Sequence, residues 1–154
     1  MEIERKFLVE SLDFKKEAQR ETRITQGYLS SVPERTVRVR IKGTQGFITI
    51  KGKGSESGTS RYEWEKEISM AEAGDLLKLC EDGLIDKIRY DIPVGRHCFE
   101  VDEFYGENRG LIVAEVELTC EDEAFDKPQW LGREVTGDAK YYNAMLVKKP
   151  YTQW

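Results

Sequence analysis

The sequence is short of most residues that mark a site by themselves. Its 154 residues include one histidine, His97, and three cysteines, Cys80, Cys98 and Cys120. No two cysteines form a CxxC pair, which removes the usual thiolate zinc and dithiol redox motifs. Three thiols, widely spaced and odd in number, read as a reduced protein, and the expected compartment is cytoplasmic. Nothing places any of them beside a base for nucleophilic catalysis. A lone histidine next to Cys98 reads as a sheet-surface residue rather than a metal ligand. No apolar run approaches the roughly 20 residues of a membrane span, and the N-terminus has no apolar signal-peptide core, so no membrane partner is expected.

Apolar content is also low, at 39%, against 34% charged residues. The net charge of -5 argues against a nucleic-acid surface built on bulk positive charge, though not against a local basic pocket. The charges avoid long single-sign blocks and aromatic residues reach 10%, which argues against disorder. The length suits one domain, residues 1–154, with one sizeable core. No solenoid-length repeat or low-complexity linker is present. The abundant charge must therefore be organised inside one folded unit.

Periodicity shows how. Glu2-Ile3-Glu4-Arg5-Lys6-Phe7-Leu8-Val9 alternates as a strand, with Glu2, Glu4 and Lys6 in a row and Arg5 breaking the apolar face. Further strands are expected at 23–29, 36–41, 47–51, 61–68, 85–92, 96–104 and 111–118, joined by Gly-, Pro- and Ser-rich turns. Short helices are expected at 11–19, at 70–81 behind a Ser69/Glu72 capping box, and through 141–146 behind Asp138. Residues 122–125 read as a helical turn and 130–136 as a structured connection. Trp64 and Trp130 read as core and Trp154 as tail. The class is α+β: an eight-stranded antiparallel barrel with a few flanking helices, because few connections are long enough for helical crossovers.

Within these strands the charges come as like-sign doublets at spacing two. The acidic ones are Glu2/Glu4, Glu63/Glu65, Glu100/Asp102 and Glu115/Glu117; the basic ones are Arg38/Arg40, Lys51/Lys53 and Lys87/Arg89. Neighbours on one strand face lie about 6.6 Å apart. Two carboxylates at that distance repel by roughly 2.5 kcal/mol at an effective dielectric near 20. A solvated face tolerates one such doublet, but repeated like-sign pairing is better explained by a charged interior. Acidic strands would hold a divalent cation, and basic strands a multiply charged anion that the cation also bridges.

Glu2-Ile3-Glu4-Arg5-Lys6 resembles the ExExK signature of the CYTH superfamily, the triphosphate tunnel metalloenzymes. Gln26–Leu29, Val37–Arg40, Thr49–Lys51, Arg61–Glu65, Lys87–Tyr90, Val101–Phe104, Val113–Glu117 and Glu134–Thr136 resemble its later motifs in order. The short length resembles the compact bacterial members. The resemblance implies a barrel forming a charged tunnel, in which a small-molecule triphosphate is hydrolysed or bound with Mg²⁺ or Mn²⁺. It implies Glu2, Glu4, Glu115 and Glu117 as principal metal ligands, with Glu63, Glu65 and Asp102 as further or water-mediated ones. Lys6, Arg38, Arg40, Lys51, Lys87 and Arg89 match the basic cradle, and Lys140 matches a position near the tunnel mouth. Lys53 and Glu67 read as solvated or rim residues.

The candidate catalytic residues are Tyr28 and Lys6. An ammonium such as Lys6 would lower the Tyr28 pKa and make it a proton acceptor; the alternative for Tyr28 is packing at a barrel end. Lys6 itself reads as a phosphate ligand more than as a base. A carboxylate of the metal cluster could instead orient the attacking water. The expected function is hydrolysis of inorganic triphosphate. Class IV adenylate cyclase, thiamine triphosphatase, a non-catalytic polyphosphate- or nucleotide-binding module and a barrel with merely solvated charges are the alternatives. The helical remainder is assigned to packing on the barrel, with a homodimer left open.

Overall fold

The computed structural model describes residues 1–154. Its strands are β1 (Glu2–Val9), β2 (Arg20–Ser30), β3 (Arg35–Lys42), β4 (Gln45–Gly52), β5 (Ser60–Arg61), β6 (Glu63–Ile68), β7 (Ile85–Val94), β8 (His97–Phe104), β9 (Ile112–Glu117) and β10 (Leu131–Glu134). Three short helices are α1 (Phe14–Glu17), α2 (Met70–Leu77) and α3 (Asn143–Leu146). All strand pairings are antiparallel.

The strands run in the order β1-β9-β8-β7-β2-β3-β4-β6. The ring closes through one bent segment. β6 pairs with β4 from Gly46/Ile68 to Lys51/Glu63, and after a break at Tyr62 the same segment pairs with β1 as Glu2/Arg61 and Ile3/Ser60. A hydrogen bond from Glu4 N to Thr59 O at 2.9 Å extends that seam. Counting the bent segment once, the ring has the eight strands expected. The strand expected at 61–68 is split at Tyr62, and the connection expected at 130–136 contains β10, which pairs with β1 at Phe7 and Val9.

The helices are shorter than expected. The segment 11–19 forms only α1, where Phe14 is fully buried while Leu12 points to solvent. The Ser69/Glu72 capping box forms with both bonds at 3.0 Å, but α2 ends at Leu77. α2 lies against the outer face of β3 and β4. Gly46 permits this approach, since a Cβ there would sit 2.8 Å from the Cβ of Ala73. The last helix is two pieces, a 3₁₀ turn at Ala139–Tyr141 and then α3. Residues 122–125 are not helical. Trp64, expected in the core, is 43% exposed on the outer face of β6, paired with Ile50 where no helix covers the sheet. Trp130 is buried, as expected.

Alternation puts apolar residues outside the barrel and charges inside, the reverse of an ordinary small barrel. Phe7, Tyr90, Ile92, Phe99, Val101, Ala114 and Val116 form one outward core, covered by Phe14 and Trp130. Edge-on ring contacts tie it together, Phe99–Trp130 at 5.6 Å and Phe14–Tyr90 at 5.4 Å. Truncating a ring as buried as Phe99 costs about 3–5 kcal/mol. A second core fills one end of the barrel. Ile85, Phe104 and Val113 continue the inward rows of Lys87, Asp102 and Glu115, and Val135, Tyr141 and Leu146 of the C-terminal segment pack onto them. No helix is long and apolar enough to cross a membrane.

Candidate active site

The charged doublets, apart from Asp102 and Lys53, meet in one cavity of about 340 Å³ inside the barrel. Seven carboxylates line it (Glu2, Glu4, Glu63, Glu65, Glu100, Glu115 and Glu117), as do seven cations (Lys6, Arg38, Arg40, Lys51, Arg61, Lys87 and Arg89). The ring order sorts them. β6, β1, β9 and β8 are neighbours and carry the carboxylates; β7, β2, β3 and β4 are neighbours and carry five of the cations. Lys6 and Arg61 are the cations on the acidic half.

Pairs cross both boundaries between the halves. At one, Lys51 Nζ lies 2.8 and 3.0 Å from the Glu2 carboxylate. Thr49 there accepts from Arg38 Nη2 at 3.1 Å and donates to Glu65 at 2.8 Å. At the other, Arg89 binds Asp102 through two bonds and reaches Glu100 at 3.3 Å. Lys87 Nζ meets Asp102 Oδ2 at 2.7 Å. Within the acidic half, Lys6 Nζ is 2.9 Å from Glu115 and 3.5 Å from Glu4.

Two further regions show unmet demand. The first is acidic. Burial and the neighbouring Glu115 push Glu4 up to about 7. Burial and a hydrogen bond with Glu2 push Glu63 up to about 7 as well. Carboxyl groups crowded in this way hold protons unless a cation lies between them. The donors are all carboxylate oxygens, the chemistry that a hard divalent ion such as Mg²⁺ or Mn²⁺ takes, although no three of them stand grouped around one point. The second region is basic. The Nε atoms of Arg38 and Arg40 are buried without a hydrogen-bond partner. Burial and the adjacent Arg38 and Arg89 push the Arg40 guanidinium down to about 10. Buried donors of one sign with no acceptor fit an anion.

Of the residues expected to hold the metal or the substrate, Asp102 and Lys140 lie outside the cavity lining. Asp102 is buried beneath it, spent on Lys87 and Arg89; although burial opposes its charge, those cations hold it down to about 2. Lys140 is exposed, its ammonium 4.6 Å from the Trp154 ring. Tyr28 lines the cavity, but burial raises its hydroxyl pKa in spite of Arg38, Arg61, Lys6 and Arg40, so the lowering expected from Lys6 is outweighed. The ammonium of Lys6 is engaged by Glu115 and Glu4 instead. Lys53 and Glu67 are exposed, as expected of rim residues. His97 bonds Glu123 at the surface.

The sequence assigns no role to Arg61, Thr49 or Asn143, and marks Glu100 only as half of the Glu100/Asp102 doublet. Arg61 was findable, since it shares the inward parity of the Glu63/Glu65 doublet. Thr49 and Asn143 carry no charge and leave no pattern.

Fold and site together define an antiparallel barrel with a charge-divided interior. A CYTH domain model matches residues 1–149, and the chain belongs to that family. It is 46% identical over 151 residues to the inorganic triphosphatase of Acetivibrio thermocellus, covering 97% of this chain and 95% of that protein. It is 39% identical over 151 residues to the inorganic triphosphatase of Nitrosomonas europaea, covering 95% and 96%. A crystal structure of an inorganic triphosphatase superposes with a TM-score of 0.67 at 33% identity, covering 96% of this chain and 94% of that one.

Proposed function

We propose that this chain hydrolyses inorganic triphosphate inside the barrel, with Mg²⁺ or Mn²⁺. The observation that carries the reading is the division of the cavity: a carboxylate half that fits a divalent cation faces a guanidinium–ammonium half that fits an anion. The two inorganic triphosphatases at 46% and 39% identity support it. Only four of the 26 lining residues are hydrophobic, which favours a substrate without an organic part over a nucleotide or thiamine ester.

Glu2, Glu4, Glu115 and Glu117, with Glu63 and Glu65, would hold the metal, which when bound supplies charge neutralisation and a Lewis acid at phosphoryl oxygens. Arg38 and Arg40 present forked donors to phosphate oxygens, and Lys51, Lys87 and Arg89 add charge around them. Loose phosphoryl transfer asks the protein mainly for positioning and for donors aimed where charge develops. Lys6, held by Glu115 and Glu4, stays an ammonium: those carboxylates outweigh its burial and raise its pKa. It therefore acts as a fixed charge and not as a base. Tyr28 stays a neutral phenol and serves as a donor at the cavity wall. A carboxylate of the acidic half orients the attacking water and accepts its proton.

The test is phosphate release from inorganic triphosphate, ATP and thiamine triphosphate, with Mg²⁺ or Mn²⁺ and with EDTA. Wild type should release phosphate from inorganic triphosphate only with metal, and Glu4→Gln should lose at least a hundredfold in turnover. A faster rate on ATP or thiamine triphosphate, or full activity in EDTA, would overturn the reading.

A further inference from the structure

Asn143 opens α3, in a segment that contributes no charged residue to the cavity. Its side-chain Oδ1 accepts a hydrogen bond from Lys87 Nζ at 3.1 Å. The Lys87 side chain is 1% exposed, and its ammonium also donates toward Asp102 Oδ2 at 2.7 Å. Burial pushes Lys87 down to about 7 in spite of Asp102; in its protonated form, which a bound polyanion favours, it has three N–H donors and no acceptor. Two of them are committed to fixed protein oxygens. Lys87 lines the cavity, so the third is left for what the cavity holds. With one fixed partner the ammonium could swing about that contact; with two, the direction of its remaining N–H is set.

The segment that carries Asn143 is itself anchored to β1 at another cavity cation. Val135 N–H donates to the Lys6 carbonyl at 2.8 Å, and Lys6 N–H donates to Thr136 Oγ1 at 2.9 Å. One stretch, 135–143, thus touches a cation of each half of the barrel.

We propose that Asn143 is a positioning residue for the triphosphatase reaction, holding Lys87 so that its free N–H is aimed into the cavity. The inference rests on the function proposed above. Coulombic attraction between an ammonium and a polyanion survives a small swing of the side chain. A hydrogen bond to an oxygen that gains charge in the transition state depends on aim. Losing Asn143 should therefore lower kcat more than it raises KM.

The test uses the full-length protein with inorganic triphosphate and Mg²⁺. Asn143→Leu, similar in size but without an acceptor, should lower kcat about tenfold and leave KM within about threefold. Asn143→Asp, which keeps an acceptor, should recover most of kcat while raising KM, because its carboxylate repels the anion. In a Lys87→Ala background, Asn143→Leu should cost nothing further, since it acts through Lys87. Equal losses in both backgrounds, or kcat and KM falling together with thermal stability, would overturn the proposal and make Asn143 merely a packing residue. If wild type releases no phosphate, the proposed function falls by itself. The positional part is then read from the Lys87 Nζ–H signals in ¹⁵N NMR: protected in wild type and lost in Asn143→Leu if it holds, unchanged if it does not.

Discussion

Arg89 and Asp102, opposite each other on β7 and β8, are joined by two parallel hydrogen bonds: Nε to Oδ1 at 2.8 Å and Nη2 to Oδ2 at 2.9 Å. The same carboxylate receives Lys87 at 2.7 Å. One buried anion thus serves two buried cations, and its lone pairs face them rather than the cavity. Asp102→Ala would leave both cations uncompensated, at a cost of about 3–5 kcal/mol. We expect Tm to fall by about 10 °C. The affinity for Mn²⁺, read by calorimetry, should change less than threefold. A tenfold loss of Mn²⁺ affinity with Tm intact would make Asp102 a metal ligand instead.

Arg40 has no ion-pair partner in the barrel, and its Nε is buried and unbonded. The ligand-free protein carries that cost, which an anion relieves. Arg40→Met should raise the Tm of the ligand-free protein by about 2–4 °C, the equivalent of roughly 1 kcal/mol. It should also abolish most of the stabilisation that triphosphate confers on wild type. Thermal shift with and without triphosphate checks both halves of the expectation.

The pH dependence of metal-free stability follows from opposing carboxylates. Glu4 and Glu63 titrate near 7 when folded, above their ordinary value of 4.5. Between pH 4.5 and 7 the folded protein therefore holds protons that the unfolded chain has lost, and stability falls as pH rises through that window. Glu2 goes the other way. Burial opposes its charge, but Lys51 holds it down to about 2, and Asp102 is held down to about 2 by Arg89 and Lys87. Their contribution is present above the ordinary carboxyl range and is lost as pH falls toward 2. Metal-free Tm should thus peak between about pH 4 and 5. Saturating Mg²⁺ should remove the decline toward pH 7, because the ion replaces the protons. A metal-free Tm that rises steadily from pH 5 to 7 would contradict this.

Lys140 lies over Trp154, which itself packs edge-on against Tyr141 at 5.2 Å and Tyr151 at 4.9 Å. Lys140→Ala should shift the fluorescence of that tryptophan and change KM for triphosphate less than twofold. A tenfold rise in KM would restore Lys140 to the substrate path.

Much of this protein was legible in the chain because period-two alternation is a local property. The strands, the inward parity of every doublet but Lys51/Lys53, and the capping box of α2 follow from neighbouring residues alone. The charges had to be inside because Phe7, Phe99, Val101 and Val116 claim the other face. What pattern could not show depends on long-range pairing. Along the chain, acidic and basic strands alternate: Glu2/Glu4, then Arg38/Arg40 and Lys51, then Glu63/Glu65, then Lys87/Arg89, then Glu100 and Glu115/Glu117. Only the ring order gathers them into an acidic half and a basic half. Only packing withdrew Asp102 from the cavity, because two cations on the adjacent strand consume it. Only the return of the C-terminal segment brought Asn143 to Lys87, 56 residues away in sequence. Residue type and alternation thus determined the chemistry facing inward, while pairing across the barrel decided which charges stay paired and which remain available to a metal and an anion.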